Sequence, residues 1–160
     1  MSKKDDKFNE LISEQSEEIK RQIIKMNKLL IDGGCKVAVD NKGNFTYTSK
    51  NSKKIICRIT MNEKGSSIRP NTNNAKSLNN ITAQLPESML EVMRSTRGCG
   101  GCAKKNPDFI ECSHGGPFQF SHNEENFESC RFVGFNFNLN NIEICDLIAK
   151  WIEIELADNL

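Results

Sequence analysis

The sequence predicts an α+β domain, with an antiparallel sheet covered by N- and C-terminal helices and a cysteine-rich metal-binding loop. Three observations predict it. Apolar residues recur at helical spacing near both ends of the chain. Short β-branched and aromatic runs separated by turn formers fill residues 35–69. Four of the seven cysteines fall between residues 99 and 130, beside glycines.

The N-terminal helix spans residues 5–32. Phe8, Leu11, Ile12, Ile19, Ile23, Met26 and Leu30 lie near one face at i, i+3, i+4, i+7 spacing. Ser13 and Ser16, each followed by acids, mark a break near residues 13–16, because a serine side chain caps orphan N–H groups. Gly33-Gly34 then stops the helix.

A meander of short strands follows, over Cys35 to Val39, Asn44 to Thr48, and Lys54 to Met61. The turns are Asp40-Asn41-Lys42-Gly43 and Ser49-Lys50-Asn51-Ser52. In the third strand, alternation sets Ile55, Cys57, Ile59 and Met61 on one face and Lys54, Ile56, Arg58 and Thr60 on the other. Ser66 to Arg69 adds a fourth strand. Asn71 to Asn80 is polar and without periodicity, which predicts a loop.

Pro86 suits the first turn of a helix through Arg94, with Leu85, Met89, Leu90 and Met93 inward. Strands over Phe118 to Ser121 and Asn126 to Leu139 flank a turn at His122-Asn123-Glu124-Glu125. Gly134 marks a bulge or a close contact. The last helix starts near Asn140, with Glu143 completing a capping box. Ile144, Leu147, Ile148, Trp151 and Ile154 form its apolar face. At 160 residues the chain fits one domain, 1–160. Residues 1–80 hold the first helix and the meander; 81–160 hold the second helix, the cysteine loop, the hairpin and the C-terminal helix.

Composition narrows the function classes. The net charge of +1 gives no strong pull toward nucleic acid or an acidic membrane. No apolar run approaches the roughly 20 residues of a membrane helix. The charged segment Met1 to Glu10 leads into no apolar stretch of the kind a secretory signal needs. The expected setting is the reducing cytoplasm, where clustered cysteines point to metal or redox chemistry rather than to disulfides. A small-molecule or protein partner remains open.

The candidate site is the pattern Cys99-x2-Cys102-x9-Cys112-x17-Cys130, with His114 two residues past Cys112. Two thiolates at Cys-x2-Cys spacing reach one tetrahedral ion, and the Gly100-Gly101 pair suits such a knuckle. The preferred ligands are Cys99, Cys102, Cys112 and Cys130, with His114 replacing a cysteine as the alternative. Either set is four-coordinate, which closes the site and favours structural zinc. Arg97 to Gly116 is long for a connection without periodicity, and a metal would fasten it.

Other chemistry fits less well. A redox pair at Cys99 and Cys102 is the alternative function, but such pairs open a helix after a strand, and this one follows a helix. An iron–sulfur cluster also takes four cysteines, yet the ferredoxin spacings are absent. Cys57 and Cys145 share faces with isoleucines and read as core; Cys35 follows the glycine pair and is less defined. His122 beside Glu124 and Glu125 reads as a solvated turn residue. Lys50, Lys53, Lys54, Arg58, Lys64 and Arg69 read as a solvated sheet face. Phe118, Phe120, Phe127, Phe132, Phe135 and Phe137 read mostly as core. No phosphate loop, dinucleotide fingerprint, nucleophile elbow or zinc-protease motif occurs, so no catalytic residue is assigned.

Cys99, Cys102 and Cys112, then Cys130 with Phe135 and Phe137, then Ile152-Glu153-Ile154-Glu155-Leu156 carry a family resemblance. Over residues 95–157 the chain resembles a cysteine-rich C-terminal module of uncharacterised small proteins from anaerobic Firmicutes. The resemblance implies a cysteine cluster ahead of a hairpin and a closing helix, and implies no activity. The helix-then-meander order is similar to small α+β proteins of frataxin-like layering; the likeness is in element order and implies no iron chemistry.

Overall fold

The computed structural model describes residues 3–63, 65–72, 75–96, 117–130 and 134–157. The long N-terminal helix is two helices, α1 (Lys3–Ser13) and α2 (Glu17–Asp32), with Ser16 as the N-cap of α2. The Ser16 hydroxyl accepts the Ile19 N–H, so the break falls where the serines predicted it. Ile23, Met26 and Leu30 of α2 are fully buried.

Strands β1 (Cys35–Val39), β2 (Asn44–Ser49), β3 (Ile55–Asn62) and β4 (Gly65–Pro70) form the antiparallel meander. The turn into β2 is tight because Gly43 has φ +77° and an added Cβ would lie 2.1 Å from the Met61 carbonyl oxygen. Asp40 holds that turn by accepting the N–H groups of Lys42 and Asn44.

Parity in β3 differs from simple alternation. Tyr47 pairs with Cys57 but Thr48 pairs with Ile55, so Ile56 is the extra residue of a bulge. The bulge turns Ile56 inward beside Cys57, Ile59 and Met61, and leaves Ile55 half-buried. Strict alternation had assigned these two isoleucines the other way round.

The asparagine-rich stretch is not wholly loop. Residues Ala75–Thr82 form α3, which packs against the hairpin and the C-terminal helix and buries Ile81. Its apolar residues Ala75, Leu78 and Ile81 recur at i, i+3, i+6, a helical stripe that spans only eight residues and is obscured by the surrounding asparagines. Helix α4 (Glu87–Ser95) follows Pro86 and buries Met89, Leu90 and Met93 as expected.

The second half also departs from one long strand. β5 (Pro117–His122) and β6 (Glu125–Cys130) form a separate two-stranded sheet. Asn123 and Glu124 both have positive φ, the backbone of a type I′ hairpin turn. The chain then enters β7 (Phe137–Asn138), which pairs with β4 and completes a sheet ordered β1-β2-β3-β4-β7. Gly134, at φ +59°, lies between the two strands and breaks the extended backbone.

The last helix, α5 (Cys145–Ala157), starts later than Asn140. A short 3₁₀ turn over Ile142–Ile144 precedes it, and no side-chain cap forms at Asn141. Asn138 Oδ1 instead takes the Asn140 N–H, so the expected capping box is replaced by a local turn.

One row crosses the whole sheet: Val39, Phe45, Ile59, Ile68 and Phe137 are successive cross-strand partners. The last four are buried and Val39 packs against them at the edge. Trp151 of α5 lies over Phe135 and Phe137, with ring centroids 6.3 and 6.0 Å away, and donates its indole N–H to the Asn71 carbonyl at 2.9 Å. Lys25 and Asp146 join α2 to α5 at 2.8 Å. No described helix is long and apolar enough to cross a membrane.

Candidate functional site

Of the predicted metal ligands, Cys99, Cys102, Cys112 and His114 lie outside the described residues. Cys130 lies at the end of β6, paired with Pro117 at the open end of the hairpin. Among the described residues no three metal-binding side chains come together.

The other three cysteines are core. Cys35, Cys57 and Cys145 are buried free thiols. Burial pushes the Cys57 thiol well up from its ordinary range and raises the Cys35 thiol. Burial, helped by the neighbouring Asp146 carboxylate, pushes Cys145 up to about 11. A thiol kept protonated is a poor nucleophile and a poor ligand. These three therefore fit packing, as predicted for Cys57 and Cys145, and Cys35 joins them.

The hairpin next to the cysteine segment is anchored at its turn end. His122 Nδ1 donates to the Thr82 carbonyl at the end of α3, and Asn123 Nδ2 donates to His122 Nε2 at 3.1 Å. One proton on Nδ1 satisfies both contacts, so His122 ties hairpin to helix rather than sitting free in the turn. Arg94 of α4 pairs with Glu125 at 2.8 Å, also with Glu87, and stacks over buried Phe127 at 5.8 Å. The hydrogen bonds to Glu125 and Glu87 raise the Arg94 guanidinium further above its already high range.

A second feature lies on the sheet face away from the core. Thr46, Arg58 and Arg69 are cross-strand partners on β2, β3 and β4, and Asn44, Thr60 and Ser67 form the next row. With Ser95 and Thr96 from the end of α4 and Asn136 beyond Gly134, the residues of these rows other than Ser67 line a cleft of about 710 Å³. Thr60 donates to Asn44 Oδ1 and Asn44 Nδ2 donates to Asp40 Oδ2, both at 2.7 Å, which fixes one wall. The Asn44 amide and backbone hold the Asp40 carboxyl below the usual range. Burial, and then the neighbouring Arg58 charge, lower Arg69.

No family model, no curated protein and no solved structure matches this chain.

Sequence reasoning assigned Arg58 and Arg69 to a solvated face and so missed the cleft. The signal was available in the hairpin register: a β3–β4 turn that pairs Asn62 with Gly65 must bring Arg58 opposite Arg69. The walls supplied by α4 and Asn136 were not legible, because they come from distant segments.

Proposed function

We propose that the protein is a non-enzymatic zinc-binding module that binds a small ligand or partner. Cys99, Cys102, Cys112 and Cys130 hold a structural ion, with His114 replacing a cysteine in the alternative set. The observation that carries this reading is the pairing of Cys130 with Pro117. Pro117 directly follows the segment bearing the other ligands. Cys112 is five residues upstream of Pro117, and five residues of chain reach at most about 18 Å.

The core positions of Cys35, Cys57 and Cys145 support the same division, since the remaining four cysteines match one tetrahedral ion. Three buried free thiols also suit a reducing setting such as the cytoplasm. The ion would fasten both ends of the α4–β5 connection to the hairpin. Its role is stability, because binding free energy of a closed site is folding free energy.

Metal analysis and a thermal melt test the proposal together. Protein purified without added metal should carry close to one zinc per chain, and a strong chelator should lower the melting temperature. Absence of near-stoichiometric metal, with a melt indifferent to chelator, contradicts it. Rapid alkylation of Cys99 or Cys102 at neutral pH in metal-free native protein would favour the thiol-redox alternative.

A further inference from the structure

We propose that the cleft over β2, β3 and β4 is a binding site for a small phosphate monoester, with Arg58 and Arg69 as the anion-binding pair. This gives the ligand-binding part of the proposed function a location. It uses only described residues, so it stands or falls apart from the zinc site.

The first argument is electrostatic. Arg58 and Arg69 are direct cross-strand partners, and like charges directly opposite on a sheet face repel. Hydration relieves that repulsion on an open face. Here both side chains are half-buried in a concave site, and burial is the main cause of the lowered Arg69 pKa. Among the described residues no carboxylate forms an ion pair with Arg58. An anion bridging the two guanidiniums offsets that repulsion.

The second argument is chemical. Guanidinium forks match phosphate oxygens in bidentate fashion, and two of them balance a dianion. The neighbouring side chains are hydroxyls and amides: Thr46, Thr60, Ser95, Thr96 and Asn136. These suit the hydroxyl groups of a polar ligand body rather than an apolar one. The cleft's carboxylate, Asp40, is occupied by Asn44 and by the Lys42 N–H, so its charge is already engaged.

The third argument is shape and order. A cleft of about 710 Å³ is of small-molecule size, within the roughly 300–1,000 Å³ of such sites. The Thr60–Asn44–Asp40 chain holds its polar wall in place. Gly134, at φ +59°, lies beside the Arg69 stem. A concave site in a chain of net charge +1 fits a compact anion better than a polynucleotide, which needs an extended basic stripe.

Calorimetric titration of the full chain at low salt tests this, with inorganic phosphate and ribose 5-phosphate as probes. Saturable one-to-one binding is expected, tighter for ribose 5-phosphate because its hydroxyls engage the threonine and asparagine wall. Arg58→Gln should weaken both by about tenfold or more, with an unchanged melting temperature. Arg69→Lys, which keeps the charge but loses the fork, should weaken them by less. The absence of saturable binding of either probe overturns the proposal, as does unaltered binding by a folded Arg58→Gln variant. Preference for a single-stranded oligonucleotide over ribose 5-phosphate overturns the small-ligand assignment. Zinc content, measured on the same samples, reports separately on the metal reading.

Discussion

The five-stranded sheet and the β5–β6 hairpin are built by the same alternation of residues but are held in different ways. The large sheet has a continuous apolar row from Val39 to Phe137, covered by α2 and α5. The hairpin has two strands, and two strands alone are marginal in water. Among its described side chains, His122 on Thr82, Arg94 on Glu125 and buried Phe127 secure it toward its turn. Its other end, Pro117 opposite Cys130, leads directly to the cysteine segment. The difference teaches where a fastener matters. A sheet with its own core needs none, whereas a two-stranded hairpin gains most from a tie at its open end.

The comparison can be broken first at the large sheet. Trp151→Ala removes a buried ring packed on Phe135 and Phe137 and the indole hydrogen bond to the Asn71 carbonyl. The expected loss is about 3–5 kcal/mol, read as a lower urea midpoint, with the whole chain unfolding together. A loss below about 1 kcal/mol would deny that α5 seals this core.

Gly43→Ala is the next largest. The new methyl meets the Met61 carbonyl at a backbone position already left-handed, so about 1–3 kcal/mol of strain is expected in the same assay. Zinc content should not change, since Gly43 belongs to the large sheet.

Arg94→Ala acts on the hairpin instead. Amide exchange should quicken in β5 and β6 while β1 to β4 keep their protection, because the lost pairs reach Glu125 and not the large sheet. Uniform loss of protection across both sheets would merge the two regions into one unit.

The mildest test is alkaline pH. Below the ordinary thiol value of 9.0, the buried cysteines are protonated in both folded and unfolded states. Above it the unfolded chain releases thiol protons that the folded chain retains, so the folded state binds more protons. Stability then falls as pH rises from 9 toward the Cys145 value of about 11 and beyond. Measured by denaturant midpoint, stability rising over that interval would contradict the core assignment of these cysteines.

Local signals made much of the large sheet legible. Serine caps marked the α1–α2 break, turn formers marked the ends of β1 and β2, and proline marked α4. What escaped was set by distant contacts. The bulge at Ile56 depends on how β3 meets β2, so β3 alone suggested strict alternation. Helix α3 carries a short apolar stripe, Ala75, Leu78 and Ile81, within an asparagine-rich stretch, and packs against the hairpin and α5. Phe135, Phe137 and Leu139 share one buried parity, yet Phe137 pairs with β4 instead of extending β6. Of the candidate metal ligands, the chain pattern supplied all five residues; the structure adds the register of Cys130. The arginine cleft was half legible, in the partnering of Arg58 with Arg69, and half hidden, in the walls from α4 and Asn136.

The proposed cysteine-bound zinc would tie the open end of the hairpin to the segment before it. Zinc-edge X-ray absorption on the purified full chain tests it most directly. The account predicts near one-to-one zinc with a first shell of four sulfurs at about 2.3 Å, or three sulfurs and one imidazole nitrogen if His114 replaces a cysteine. Protein without stoichiometric zinc, or a first shell dominated by oxygen, would contradict it.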